Sequence, residues 1–228
     1  MRRDELVQYL DDLLQIEAIE DTSNNGLQVE GAAEVWRLAL AVDAGLAAFD
    51  GARAAGAQML VVHHGLFWSK PLMVTGPHRR RLGLLVAADL SLYAAHLPLD
   101  FHPELGNNVT LARWLGLADI RPFGEYKGQA AGYAGRLPEP LAMEDLVARV
   151  EAALGEPVSR VWAFGQPTVE TVGIISGMDE PLGRAVGGRL GHAVAGQTDA
   201  APGRGRPGAG DPPRPLHDAE LVLVGVVD

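Results

Sequence analysis

The sequence predicts an α/β fold, on three observations. An apolar segment ending in an acid, VWRLALAVD (residues 35 to 43), is followed by a helical stretch and then by a second apolar segment that runs into His63 and His64. Strand, helix and strand in that order form a parallel βαβ unit with a right-handed crossover. Beyond residue 130 the alternation begins again, through GYAGRLP, an amphipathic stretch and two more apolar segments, so a further α/β layer is expected. The sheets should be mixed, largely parallel and flanked by helices.

The elements follow in order. Residues 2 to 18 place Leu6, Leu10, Leu13 and Leu14 at three-and-four spacing, with Asp4 and Glu5 in what would be the first turn, which predicts an amphipathic helix. Asp21 to Gly26 is polar and carries a turn signal at Asn25-Gly26, so it reads as a loop. The first core strand ends in Asp43, a helix covers about Leu46 to Ala55, and AQMLVVHHGLFW (57 to 68) supplies the second strand, short and β-branched at its end. Pro77 to Asp89 should be helical, SLYAAH (91 to 96) a third strand, LPLD a turn, and Asn107 to Leu115 a helix. In the second half, 132 to 138, 159 to 165 and 171 to 177 read as strands, and Leu141 to Leu154 as a helix with Leu146, Val150 and Leu154 on one face.

Composition narrows the function classes. The 228 residues are 47% apolar and 21% charged, enough to build a core. A formal net charge of −10 argues against broad binding to nucleic acid or anionic membranes, with Arg79-Arg80-Arg81 the one basic cluster and a solvated helix face its simplest explanation. The absence of cysteine excludes disulfides, thiolate catalysis and cysteine-ligated zinc. The acids within MRRDELVQYLDDLL are incompatible with a signal peptide, and no apolar run reaches the roughly 18 residues of a membrane span, so a cytoplasmic location is expected.

Four potential ligands fall at predicted strand ends: His63 and His64 after one strand, His96 and Asp100 after the next. In a parallel sheet those ends share an edge, where open α/β sheets place their ligands. Imidazoles with a carboxylate suit zinc, iron, manganese, nickel or cobalt rather than calcium. Neighbouring residues of a strand face opposite ways, so two adjacent histidines should reach one pocket only where the strand ends and the chain turns, which Gly65 permits. Adjacent histidines suit a pair of ions better than one, and two ions roughly 3.5–4 Å apart would activate water for hydrolysis. The bland alternative is a surface histidine doublet, a buried hydrogen-bonded His96 and a turn acid at Asp100. His78 and His102 are explained by a helix start and a proline turn, and are expected to be exposed.

NNGLQVEG (24 to 31), VVHHGLFW (61 to 68), LYAAHLPLDFHPELGNN (92 to 108) and LARWLGL after it resemble the dinuclear-metal, ring-forming NIF-three-like family, also called type 2 GTP cyclohydrolase I, over residues 1 to 177. The resemblance implies two related α/β halves, metal ligation by His63, His64 and Asp100, and a pocket also lined by His96, which could carry a proton. It further implies two divalent ions, Asn25 near the site, a small-molecule substrate of the nucleotide class and a homohexamer built as a trimer of dimers. The alternative function is a non-catalytic, ring-forming regulatory protein that binds nucleic acid or protein. A salt-dependent gel shift unaffected by Arg79→Ala with Arg80→Ala would remove its nucleic-acid form.

Three regions are expected: a metal-binding α/β half over 1 to 125, a second half over 126 to 180 that is truncated relative to the family, and a tail over 181 to 228. The tail is rich in Gly, Pro and Arg and cannot build a core. It lacks the family's C-terminal histidine and glutamate, since His217 and Glu220 in LHDAE have the wrong spacing and neighbours. We expect a shift of reading frame soon after Gly177 and a disordered tail. A His-Tyr-x-x-Glu segment encoded in neither other frame of the gene would remove that explanation.

Overall fold

A computed structural model describes residues 1–155, 157–158, 160–162, 168–176, 192–196 and 222–225. It divides into two units, Met1–Leu99 and Asp100–Asp228.

In the first unit, α1 (Arg3–Leu14) leads through a 3-10 turn (Ile16–Ala18) to β1 (Gly26–Val29). Then come β2 (Leu38–Asp43), α2 (Leu46–Ala54), β3 (Met59–His64), α3 (Gly76–Ala87) and β4 (Ser91–Ala94). The strand order is β1-β4-β3-β2. Strands β2, β3 and β4 are parallel, and β1 runs antiparallel to β4.

Two-residue periodicity sorts β3 between two cores. Met59 and Val61 pack with Leu6, Leu14, Val35 and Tyr93 against α1, while Leu60 and Val62 pack with Phe49, Ala52, Leu85 and Leu92 against α2 and α3. Burying side chains such as Phe49 and Leu92, both wholly inaccessible, contributes about 1.5–3 kcal/mol each. Strand β4 is buried along its whole length because it lies inside the sheet with both faces covered.

Two elements differ from the expectations. The loop read over Asp21 to Gly26 gives way at Gly26 to an edge strand that the sequence did not predict, Gly26–Val29 paired with β4. The LPLD turn is a short helix, α4 (Leu97–Phe101).

The second unit contains α5 (Asn107–Trp114), β5 (Ala118–Phe123), β6 (Gly132–Ala142), α6 (Met143–Leu154), β7 (Arg160–Trp162), β8 (Thr168–Ser176), β9 (His192–Gly196) and β10 (Val222–Gly225). Its sheet order is β5-β6-β8-β9-β10-β7. The pairs β8/β9 and β7/β10 are parallel, and β5/β6, β6/β8 and β9/β10 are antiparallel, so this sheet is mixed but not largely parallel. The short connection between β5 and β6 explains part of this, since it can join only antiparallel neighbours. Strand β6 runs past Pro138 and Pro140 into the stretch expected to open the helix, and its pairing with β8 is irregular between Arg136 and Leu141, where the prolines cannot donate. Leu146 and Val150 of α6 are wholly buried with Leu111, Ala112, Val169 and Val172.

The metal-binding half, expected to extend to residue 125, is cut at Leu99, so α5 and β5 belong to the second unit. Of the stretch read as a tail, the described residues are β9 and β10, which pair within this sheet. His217 and Glu220 lie outside the described residues.

Candidate metal centre

The parallel ladder brings the ends of β2, β3 and β4 to one edge. Asp43 is in register with His64, Val62 with Ala94, and His96 follows two residues beyond β4. His63, His64 and His96 each offer a ring nitrogen, and these atoms all lie within 4.8 Å of one another. Ring centroids are 4.6 Å apart for His63 and His64, 5.0 Å for His63 and His96, and 5.6 Å for His64 and His96.

The adjacent histidines thus converge, although strand alternation alone would separate them. The ladder ends at this point: Asp43 pairs with His64, and the Ala44 N–H donates to the His64 carbonyl (2.9 Å) as the chain leaves the sheet. Side chains at a strand end are released from strict alternation. The arrangement accommodates one ion among three imidazoles, which the expectation of one ion per histidine did not anticipate.

Each ring is oriented from behind. Nδ1 of His63 lies 3.0 Å from the Ala95 carbonyl oxygen, Nδ1 of His64 lies 2.8 Å from Asp43 Oδ1, and Nδ1 of His96 lies 3.1 Å from both carboxylate oxygens of Asp21. Every one of these partners is an acceptor, so Nδ1 must carry the proton and donate it. In the neutral ring the coordinating lone pair is then on Nε2, with a carboxylate or carbonyl behind it, as metal-binding histidines require. The donor set therefore fits a divalent transition metal.

Asp21 and Asp43 are the functional residues that sequence reasoning missed. Asp21 is 2% exposed. Burial alone would raise its carboxyl pKa, but hydrogen bonds from His96 and Asn25, the nearby imidazole and the Ser23 N–H together hold it at about 2. It also accepts from the Leu97 N–H (3.0 Å). The Asp43 carboxyl is likewise lowered, chiefly by His64, against partial burial and with smaller help from His63 and Arg81. Asp43 could have been suspected from its place at the end of the strand beside the histidine strand. Asp21 carries no such signal, because it comes from a loop separated from His96 by most of the unit.

Asn25, expected near the site, ties that loop down. Its Oδ1 accepts from the His96 N–H (2.8 Å), and its Nδ2 donates to Asp21 (2.9 Å). The loop also meets the segment after the histidines: Asn24 N–H donates to the Phe67 carbonyl and Ser69 N–H to the Thr22 carbonyl. Gln28 locks the two together. Its Oε1 accepts from the N–H groups of Leu66 and Phe67, and its Nε2 donates to the carbonyls of Asn24 and Phe67.

This corrects the role of Gly65. Its backbone is not left-handed, and a Cβ there would collide with the Gln28 amide, so a larger residue would displace that amide and the hydrogen bonds it makes to this segment. Trp68 then stands edge-on over His96, with ring centroids 5.0 Å apart.

Three of the four residues singled out from the sequence form the cluster. The fourth, Asp100, begins the second unit within α4; it is fully buried, and its Oδ1 accepts from Asn107 Nδ2 (2.7 Å). His102 is half-buried rather than exposed, and its Nδ1 accepts from the N–H groups of Glu104 and Leu105 to close a turn. His78 is also half-buried, whereas Arg79 and Arg80 are exposed on α3.

Residues 1–184 match the Duf34/NIF3 (NGG1p interacting factor 3) family profile. The chain belongs to the NIF3 family. A NIF3 relative from Deinococcus radiodurans, named a GTP cyclohydrolase 1 type 2 homolog, is 47% identical over 175 residues, covering 77% of this chain and 66% of its own. One of the same name from Pyrococcus abyssi is 44% identical over 177 residues, covering 78% and 71%. Among solved structures, the protein TTHA1606 from Thermus thermophilus is 44% identical with a TM-score of 0.70, over 78% of this chain and 71% of that one. This NIF3 chain thus spans about two thirds of the length of the relatives it matches. Among its described residues, no helix is long and apolar enough to cross a membrane.

Proposed function

We propose that this protein is a metal-dependent hydrolase built on a dinuclear centre and acting on a small molecule of the nucleotide class. The observation that carries the reading is the set of three imidazoles, each with Nδ1 held by an acceptor and Nε2 as the coordinating atom. His63, His64 and His96 would hold the first ion. Asp100 is proposed as a ligand to a second ion, from its motif position four residues after His96 and its complete burial. The names of the relatives, GTP cyclohydrolase 1 type 2 homologs, support the substrate class. Bound divalent ions would supply Lewis acidity and a hydroxide near neutral pH.

The chain's own residues do the rest. Asp43 and Asp21 orient His64 and His96, and Trp68 screens the cluster from solvent. His96, to which the sequence gives a proton-carrying role, holds its proton at Nδ1 against Asp21, which favours ligation through Nε2.

Formate release from GTP is the direct test. It should require added divalent metal and fall at least 100-fold in His64→Ala. Metal-loaded wild type that binds its ions but releases no formate from GTP, and hydrolyses no other nucleotide, would contradict the hydrolase reading.

A further inference from the structure

Strand β1 carries one residue more than its pairing needs. Leu27 stands opposite Tyr93 and Val29 opposite Leu92, so Gln28 is the extra residue of a β-bulge. The bulge breaks the alternation of the strand. Leu27 packs in the α1 core and Val29 in the α2 and α3 core, although residues two apart ordinarily share a face. Bulges re-aim side chains, and the side chain re-aimed here is an amide.

That amide uses both its acceptor and its donor positions. Oε1 accepts from the N–H groups of Leu66 (2.7 Å) and Phe67 (3.2 Å), and Nε2 donates to the carbonyls of Asn24 (2.7 Å) and Phe67 (3.2 Å). Two donors and two acceptors around one amide leave it a single orientation, and no other side chain of that length supplies both kinds of group. Gly65, the residue after His64, makes the approach possible, since a Cβ there would stand 2.6 Å from Gln28 Cδ.

The amide joins two arms of the candidate metal centre. One arm is His63, His64 and the segment after them. The other is the Asp21 to Asn25 loop, which grips His96 at its ring through Asp21 and at its backbone N–H through Asn25. Two backbone hydrogen bonds, from Asn24 N–H to the Phe67 carbonyl and from Ser69 N–H to the Thr22 carbonyl, run beside the amide.

We propose that Gln28 is a positioning residue of the metal centre, setting where His96 stands relative to His63 and His64. It acts through the backbone of Asn24, Leu66 and Phe67 rather than as a ligand. Without the amide, the N–H groups of Leu66 and Phe67 lose their acceptor, and the segment that follows His64 is released from the loop that orients His96. Imidazoles that converge on one ion tolerate little displacement, so the effect is read at the metal. The affinity prediction rests on the reading that the three imidazoles hold metal; the orientation of the rings does not.

A double-mutant cycle on metal affinity tests it, by competition titration with a chromogenic chelator. Gln28→Ala, and Gln28→Met as the variant that keeps the side chain's length, should each bind divalent metal about 10-fold more weakly with circular dichroism unchanged. Gly65→Ala displaces the same amide and should lose a similar factor. Gln28→Ala combined with Gly65→Ala should be no weaker than Gly65→Ala alone, because the added methyl then has room. The metal-free protein gives a second readout: with isotopically labelled histidine, the imidazole nitrogen resonances of His63, His64 and His96 should shift in both Gln28 variants. Full affinity in the folded Gln28 variants, losses that multiply in the double variant, or unchanged imidazole resonances would each overturn the proposal. A wild type that binds no metal, beside Gln28 variants whose imidazole resonances shift, would contradict the metal reading and uphold this one.

Discussion

Asp21→Asn should weaken divalent-metal binding by about 10- to 100-fold while leaving all three histidines in place. The substitution keeps the size of the buried side chain but removes the charge that faces Nδ1 of His96 at 3.1 Å. It also offers an amide N–H where the ring needs an acceptor, so His96 is pushed toward the tautomer in which Nε2 carries the proton and cannot coordinate. Asp43→Asn acts on His64 in the same way, with a smaller effect because Asp43 is half-exposed where Asp21 is buried. Competition titration with a chromogenic chelator measures both. Equal affinities for wild type and Asp21→Asn would show that the carboxylates behind the rings are packing features only.

The second large effect is on stability. Gly31→Ala should cost about 3 kcal/mol, in the upper range for overpacking, read as a shift of the urea midpoint at constant slope. A Cβ at Gly31 would stand 2.5 Å from the Ser91 backbone nitrogen and 2.6 Å from the Asp89 carbonyl oxygen, both of them backbone atoms that cannot swing aside. The contact is close because the segment after β1 is laid across the start of β4. Gly31 N–H donates to Ser91 Oγ (3.1 Å), Ala32 N–H donates to the Asp89 carbonyl (2.9 Å), and the Arg3 guanidinium donates to the Gly31 carbonyl (2.8 Å). The glycine's backbone conformation is accessible to alanine, so the loss measures steric fit and not strain in φ.

Much of this architecture could be read from the residues, and the failures have physical causes. The βαβ core was legible because β2, β3 and β4 carry uninterrupted apolar runs between turn signals, and parallel pairing then required their C-terminal ends, with the histidines, to meet. Strand β1 is hidden because the turn signal at Asn25-Gly26 runs into its first residue, and because it is only four residues long. The strand directions of the second sheet are not legible in the residues, because apolar segments show that strands exist, while their pairing is fixed by connections and by prolines such as Pro138 and Pro140.

At the site, ligand types and strand-end positions were visible, but the orientation of the rings was not. Asp21 reaches His96 across 75 residues of chain, and no local pattern announces a contact of that range. The glycine after the histidines was recognised and its reason was not, since only the folded protein shows Gln28 filling the space a Cβ would need.

The central claim is that His63, His64 and His96 together hold metal. Elemental analysis of protein purified without chelator, then dialysed against buffer, tests it most directly. Wild type should retain at least one divalent transition metal per chain, and His63→Ala, His64→Ala and His96→Ala should each retain little or none while keeping the wild-type circular dichroism. Metal content unchanged across all three folded variants would contradict the claim.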